Sequence, residues 1–205
     1  PYKARIESEV RAAIVEAGRR RAIVALSGGE PTLNPLLLDY VALARRAGAR
    51  EIELQTNATR LDIDDRARSL AAAGVDTALV SLHGATAATS DAMTRAPGTF
   101  ARTVLGLDAL ARTALLTRIN FVMTASNHHE LPDLVRLVAA RWPRCVVTVS
   151  FVASTISSTR KRPTRVPVSS DSSPTCSVVG TKTAGRRSTA RTRASSSAST
   201  YGFTT

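Results

Sequence analysis

The sequence predicts an α/β fold built on a parallel sheet, and three observations support it. Strand-like segments alternate with helix-like ones through about 150 residues, the pattern left by right-handed crossovers between parallel strands. The first apolar strand stops at a double glycine, Gly28-Gly29, at a strand's C-terminal end, where parallel α/β proteins bind ligands. Residues 1–153 carry 19 Lys and Arg against 15 Asp and Glu, an ordinary balance for a folded domain. Periodicity leaves two architectures open, a doubly wound open sheet and a curved partial barrel. No GxGxxG follows the first strand, which counts against a dinucleotide-binding fold.

Residues 4–17 place Ile6, Val10, Ile14 and Ala17 at helical spacing, with Gly18 as the stop. Arg19, Arg20 and Arg21 follow; they suit the negative end of that helix better than a phosphate site. Strand-like 22–27 runs through the glycines and Asn34-Pro35 into helix-like 35–47, with Leu36, Leu37, Tyr40, Val41 and Leu43 on its apolar face. Strand-like 51–56 precedes helix-like 62–73, closed by Gly74. Strand-like 77–82 leads to a His83-Gly84 loop, a short helix near 86–94 and a longer one over 99–113. Strand-like 117–123 precedes helix-like 129–141, and 145–152 is the last strand. His128 and His129 are adjacent and cannot share a helix face, so with Glu130 they read as a solvated helix start rather than a metal site.

After Ser154 the pattern collapses. Of the last 52 residues 24 are Ser or Thr, and 9 basic residues face the single acid Asp171, so 8 of the 12 net positive charges sit there. Such a segment cannot bury enough apolar surface to offset its ordering entropy, and 154–205 is expected to be a disordered tail beside a 1–153 core. Its composition matches out-of-frame translation of a GC-rich gene; the other reading is a genuine basic tail that binds polyanions with steep salt dependence. The pI near 11.2 describes this tail and not the core. Cys145 and Cys176 lie far apart and match no metal or redox spacing. No apolar run reaches the length of a membrane span, so no membrane partner is expected. Asn57-Ala58-Thr59 reads as a chance match to a glycosylation acceptor.

Five motifs occur in order at or near strand ends: Gly28-Gly29-Glu30-Pro31, Gln55-Thr56-Asn57-Ala58, Val80-Ser81-Leu82-His83-Gly84, Thr94-Arg95-Ala96-Pro97-Gly98-Thr99-Phe100 and Arg118-Ile119-Asn120-Phe121-Val122. Together they resemble the radical S-adenosylmethionine (SAM) enzymes over about residues 2–153. The resemblance implies a partial (β/α)6 TIM-like barrel, incomplete here because its first strand is missing. It also implies an enzyme that binds SAM beside a four-iron, four-sulfur cluster and generates a 5′-deoxyadenosyl radical for hydrogen abstraction. The partners it implies are a small-molecule or peptide substrate and a reductant protein for the cluster, in the cytoplasm. The family's CxxxCxxC loop is absent from this chain. Its cysteines are expected just upstream of Pro1, so the chain reads as a core fragment, inactive alone. The alternative is a catalytically inert domain whose basic tail binds nucleic acid or another polyanion.

Carried onto this sequence, Gly28, Gly29 and Glu30 resemble the edge whose backbone carbonyls accept hydrogen bonds from the SAM ammonium, and Pro31 stiffens the turn. Glu30 alternatively pairs with a nearby base. Thr56 and Asn57 resemble the polar groups beside the SAM amino-acid portion or the substrate, or else cap the next helix. Ser81 resembles the strand-end contact to the SAM carboxylate or ribose. Arg118 and Asn120, two apart, share one side of their strand; they are ligand contacts if that side is the barrel interior. His83 stands where many members have an acid; it binds substrate or relays a proton, or is a loop histidine bonded to backbone. Arg95 and Phe100 either reach substrate or pack over the barrel mouth.

Overall fold

The computed structural model describes the backbone of residues 2–151, 176–180 and 201–202. In chain order it forms α1 (Tyr2–Arg19), β1 (Ile23–Gly28), α2 (Leu37–Ala47), β2 (Glu51–Thr56), α3 (Arg66–Ala73), β3 (Thr77–Ser81), α4 (Ala87–Thr94), α5 (Thr99–Ala111), β4 (Leu116–Met123), α6 (Leu131–Arg141) and β5 (Val146–Phe151). Three helices start later than their periodicity suggests. Short 3-10 turns at Pro31–Leu33, Ile63–Asp65 and His128–Glu130 precede them. At the second, Asp64 and Asp65 adopt left-handed backbone, with φ 51° and 53°, so α3 cannot begin before Arg66. Gly18 lies inside α1 rather than ending it. A Cβ there would sit 2.4 Å from the Ala47 Cβ, so this glycine lets α1 and α2 cross closely.

Two strands occur inside the stretch expected to be disordered, β6 (Cys176–Gly180) and β7 (Tyr201–Gly202). They are the described residues of that stretch. The physical reason for these strands is the sheet's edges: β1 and β5 would otherwise present rows of unpaired backbone groups, which template further strands. β6 pairs antiparallel with β1 and β7 antiparallel with β5. The rest of that expected tail lies outside the described residues.

The strand order is β6-β1-β2-β3-β4-β5-β7, and β1 to β5 are mutually parallel. The five parallel strands follow one another with no reversal of direction across the sheet. With right-handed crossovers, single winding of this kind places every connecting helix on one face. That is the winding of a partial barrel, and it decides between the two architectures the periodicity allows.

The two faces differ accordingly. Val24, Leu26, Ile52, Leu54, Ala78, Val80, Ile119 and Phe121 are fully buried and share one core cluster with Ile14, Leu37, Val41, Leu70, Leu107, Leu110, Leu134 and Val138 of the helices. Each such Leu or Ile contributes about 1.5–3 kcal/mol when removed from water. Side chains alternate along a strand, so the opposite face carries Glu53, Gln55, Ser81, Arg118, Asn120, Thr148 and Ser150. It is the polar interior of the half barrel. Among the described residues no helix is long and apolar enough to cross a membrane.

Candidate functional site

The parallel register brings the sequence motifs to one rim. Leu26 lies beside Leu54, Thr56 beside Val80, and Ser81 beside Asn120, so Gly28-Gly29, Thr56-Asn57, Ser81 and Asn120 occupy neighbouring positions towards the C-terminal ends of β1 to β4. Gly28 has a φ of 143°, a conformation that favours glycine, and stands in register with Cys176 of β6. Gly29 is exposed, and a Cβ built on it would meet nothing within 4 Å. The open face at the rim is therefore at Gly29.

Glu30 is only 8% exposed and ties β1 to β2. Its Oε1 accepts from the Thr32 backbone N–H at 3.1 Å, the Thr32 hydroxyl at 2.7 Å and the Thr56 hydroxyl at 2.7 Å. Its Oε2 accepts from the Asn57 N–H at 2.8 Å. The partners are hydroxyls and amides, not a base. The Thr56 hydroxyl also accepts from the Ala58 N–H at 2.9 Å. Asn57 Oδ1 accepts from the Thr59 N–H and hydroxyl at 3.0 and 2.8 Å, which folds Asn57 into a local turn. Pro31 is buried and begins the 3-10 turn for which Glu30 is the cap.

The turn after β2 is strained and held from both sides. Ala58 is fully buried with a φ of 61°, a left-handed conformation that a non-glycine residue adopts only when its surroundings impose it. The Thr103 hydroxyl donates to the Asn57 carbonyl at 2.9 Å. A Cβ on Gly106 would lie 2.0 Å from the Ala58 carbonyl oxygen, so α5 seats directly on this turn. Gly106→Ala is expected to destabilise the protein by about 1–3 kcal/mol through overpacking, read as a lower urea midpoint at unchanged slope.

Arg118 and Asn120 face the barrel interior, which settles the side left open by the sequence. Arg118 is ion-paired with Glu53 across β3, and Gln55 Nε2 donates to Glu53 Oε1 at 2.8 Å. The buried Arg118 Nε has no partner. Asn120 Oδ1 accepts from the Ser150 hydroxyl at 2.7 Å. Sequence reasoning missed Glu53 and Ser150, and named Gln55 only as part of its motif. For Glu53 and Gln55 the signal was present in the alternation of Glu51-Ile52-Glu53-Leu54-Gln55, whose polar positions all fall on one side of a strand.

His83 Nδ1 accepts from the Val122 N–H at 3.3 Å, and the His83 carbonyl accepts from Asn127 Nδ2 at 2.9 Å. Burial pushes the ring's pKa below the usual histidine value. An imidazole accepting at Nδ1 is neutral and carries its proton on Nε2. The stability this arrangement adds is present above the ordinary histidine pKa and lost as pH falls through the lowered one.

Glu130, read from sequence as part of a solvated helix start, is 9% exposed. Its Oε2 accepts from the Ala85 and Thr86 N–H groups at 2.7 and 3.3 Å, and its Oε1 from the Thr86 hydroxyl at 2.9 Å and from the Thr89 hydroxyl. It thereby anchors the loop between β3 and α4, while His128 and His129 are exposed. Burial, the strongest single influence, works to raise its pKa, but the hydrogen bonds from Thr89, Thr86 and Ala85 together hold it below the usual carboxylate value. A lowered carboxyl pKa adds stability above the unfolded-state value, and that stability disappears as pH falls through the folded-state value. Glu130→Gln is expected to cost about 1–3 kcal/mol at neutral pH and to flatten the acid limb of the stability–pH curve.

Asp91 accepts from the N–H groups of Gly98 and Phe100 at 2.6 and 2.7 Å, which organises the loop between α4 and α5. Phe100 packs against the core, whereas Arg95 is exposed. Cys145 lies at the opposite end of the sheet, immediately before β5. Among the described residues no group of three or more His, Cys, Asp or Glu is placed to hold a metal ion.

A singly wound parallel sheet, with an apolar face under helices, a polar interior and small residues at one rim, defines a half-barrel α/β domain. The chain belongs to the radical SAM superfamily, whose family description matches residues 1–138. It is 35% identical over 117 residues to the AdoMet-dependent heme synthase of Methanosarcina barkeri, covering 57% of this chain and 33% of that protein. It is 37% identical over 118 residues to mycofactocin maturase MftC of Mycobacterium ulcerans, covering 56% of this chain and 30% of that protein. SuiB of Streptococcus suis bound to S-adenosylmethionine superposes with a TM-score of 0.55 at 17% identity, over 70% of this chain and 32% of that one; this likeness concerns the fold. The chain spans about a third of the length of the curated relatives it matches.

The rim fits one of the family's two cofactors. The open space over Gly29 and the polar interior beside it suit the amino-acid end and sugar of SAM. The described residues do not fit the four-iron, four-sulfur cluster, since no set of three thiolates gathers at the rim.

Proposed function

We propose that residues 1–153 are the SAM-binding core of a radical SAM enzyme, with the cluster's cysteines supplied from outside these 205 residues. The observation that carries the reading is the meeting of Gly29, Glu30, Asn57, Ser81 and Asn120 on one rim of a chain that belongs to this superfamily. SAM held at this rim would supply the 5′-deoxyadenosyl group for radical chemistry once a four-iron, four-sulfur cluster is held by residues outside these 205. The chain's own residues bind and orient. The Gly29 backbone and Glu30 carbonyl receive the SAM ammonium, Asn57 and Ser81 flank the carboxylate and ribose, and Asn120 lines the interior beside them. Thr56 and Pro31 hold this edge in place through the Glu30 carboxylate. Neutral His83 and the Glu53-paired Arg118 lie where a small-molecule or peptide substrate enters, and a reductant protein serves the cluster. The reducing cytoplasm suits a cluster of this kind.

Isothermal titration of SAM into the purified chain tests the binding. Saturable binding, competed by S-adenosylhomocysteine, is the expected result, and its absence overturns the reading. Anaerobic reconstitution with iron and sulfide tests the rest. No 5′-deoxyadenosine should form from residues 1–205, and it should appear once a CxxxCxxC segment is joined to them.

A further inference from the structure

On the reading of the rim as a SAM site, we propose that Asn127 is its positioning residue: a buried amide that touches no ligand and holds together the strand tips carrying Ser81, His83 and Asn120. Asn127 is fully buried. It opens the 3-10 turn that leads into α6 and lies 44 residues beyond His83. Asn at such a position ordinarily caps its own turn, but here its side chain makes no capping bond.

The amide is committed to the rim instead. Its Nδ2 donates to the His83 carbonyl at 2.9 Å and to the Val122 carbonyl at 3.0 Å, one on each side of the β3–β4 edge. Its Oδ1 accepts from the Thr124 N–H at 2.7 Å and from the Thr124 hydroxyl at 3.0 Å. Carbonyls only accept and a backbone N–H only donates, so these partners admit one orientation of the amide. Both of its donors and both of its lone pairs are used.

β3 ends at Ser81, in register with Asn120 of β4. Beyond that pair the direct bonds between the two tips are at the long end of the normal range. The Leu82 N–H donates to the Asn120 carbonyl at 3.2 Å, and the Val122 N–H donates to His83 Nδ1 at 3.3 Å. An imidazole thus stands where a continued ladder would place a backbone carbonyl. Asn127 supplies the shorter bonds, one to each tip, and so fixes where His83 stands relative to β4. Three residues on, Glu130 holds the Ala85 and Thr86 amides. The segment after β3 is therefore pinned at two successive points from one turn.

Isothermal titration of SAM into the full chain, well below its Tm, tests this role. Asn127→Asp keeps the shape and the Thr124 bonds but turns an oxygen toward two carbonyls, and Asn127→Ala removes all four bonds. Both should weaken SAM binding about tenfold. Asp108→Ala is the control. It breaks the bonds from Arg141 and Trp142 at the opposite end of the sheet, and should lower Tm while leaving SAM affinity unchanged, which separates positioning from a general loss of stability. The unaltered chain gives a second readout that stands even where the Asn127 variants fail to fold. In an NMR titration with SAM, the Asn127 side-chain NH2 and Val122 N–H signals should shift saturably, at the Kd found by calorimetry. Parent-like SAM affinity in both Asn127 variants, or SAM binding that leaves both signals in place, overturns the proposal alone. A parent chain that binds no SAM overturns the SAM reading of the rim and this role with it, so the two failures are told apart.

Discussion

Gly29→Val should abolish most SAM binding while leaving the fold untouched. The substitution has no steric consequence inside the protein, because a Cβ at this position meets no atom within 4 Å. Nor does it strain the backbone, since the φ of Gly29 lies outside the left-handed region. A substitution at such an exposed position changes stability by about 0.5 kcal/mol or less. A ligand that needs the backbone at Gly29 meets a branched side chain instead. The expected loss is about 30-fold or more in SAM affinity, close to 2 kcal/mol, by isothermal titration, with thermal unfolding unchanged. Gly29→Ala should fall between the two. Undiminished SAM affinity in Gly29→Val would remove Gly29 from the binding edge.

The second large effect is on stability. Glu30→Ala removes the acceptor for four hydrogen bonds at once and leaves the Thr32 and Asn57 amides and two hydroxyls without their partner. Breaking a buried, charge-assisted network of this size costs about 3–5 kcal/mol. Glu30→Gln keeps the shape but presents an NH2 group to donors, for a cost of about 1–3 kcal/mol. Urea unfolding measures both. A double-mutant cycle with Thr56→Val isolates the bond between the two residues, which is expected to couple by about 1 kcal/mol. Additive effects would show that Thr56 and Glu30 act independently. SAM affinity should fall with stability in Glu30→Ala, because the same carboxylate fixes the Gly29 turn relative to Asn57.

The two predictions rest on different parts of the GGEP motif, and they differ in how legible they were. The Gly29 position could be read directly, since two glycines after an apolar run mark a strand end open to a ligand. The role of Glu30 could not. Its four donors come from the turn after β1 and from the end of β2, 26 and 27 residues further along, and nothing in local sequence announces that convergence. Glu130 hid for a similar reason. It follows two exposed histidines at a helix start, yet its carboxylate is buried against residues more than 40 positions earlier.

Strand and helix positions between residues 2 and 151 were set by the sequence itself, because the apolar period of each segment is local. The rim was equally readable: parallel strands of similar length end at the same side of a sheet, so motifs at their ends must meet. Three matters needed tertiary structure. Single winding over double winding depends on which strands pair, and periodicity is blind to that. The interior facing of Arg118 and Asn120 depends on register, where a shift of one residue exchanges the two faces. The edge pairing of β6 and β7 arises from unsatisfied backbone groups on β1 and β5, a property of the assembled sheet that composition does not contain.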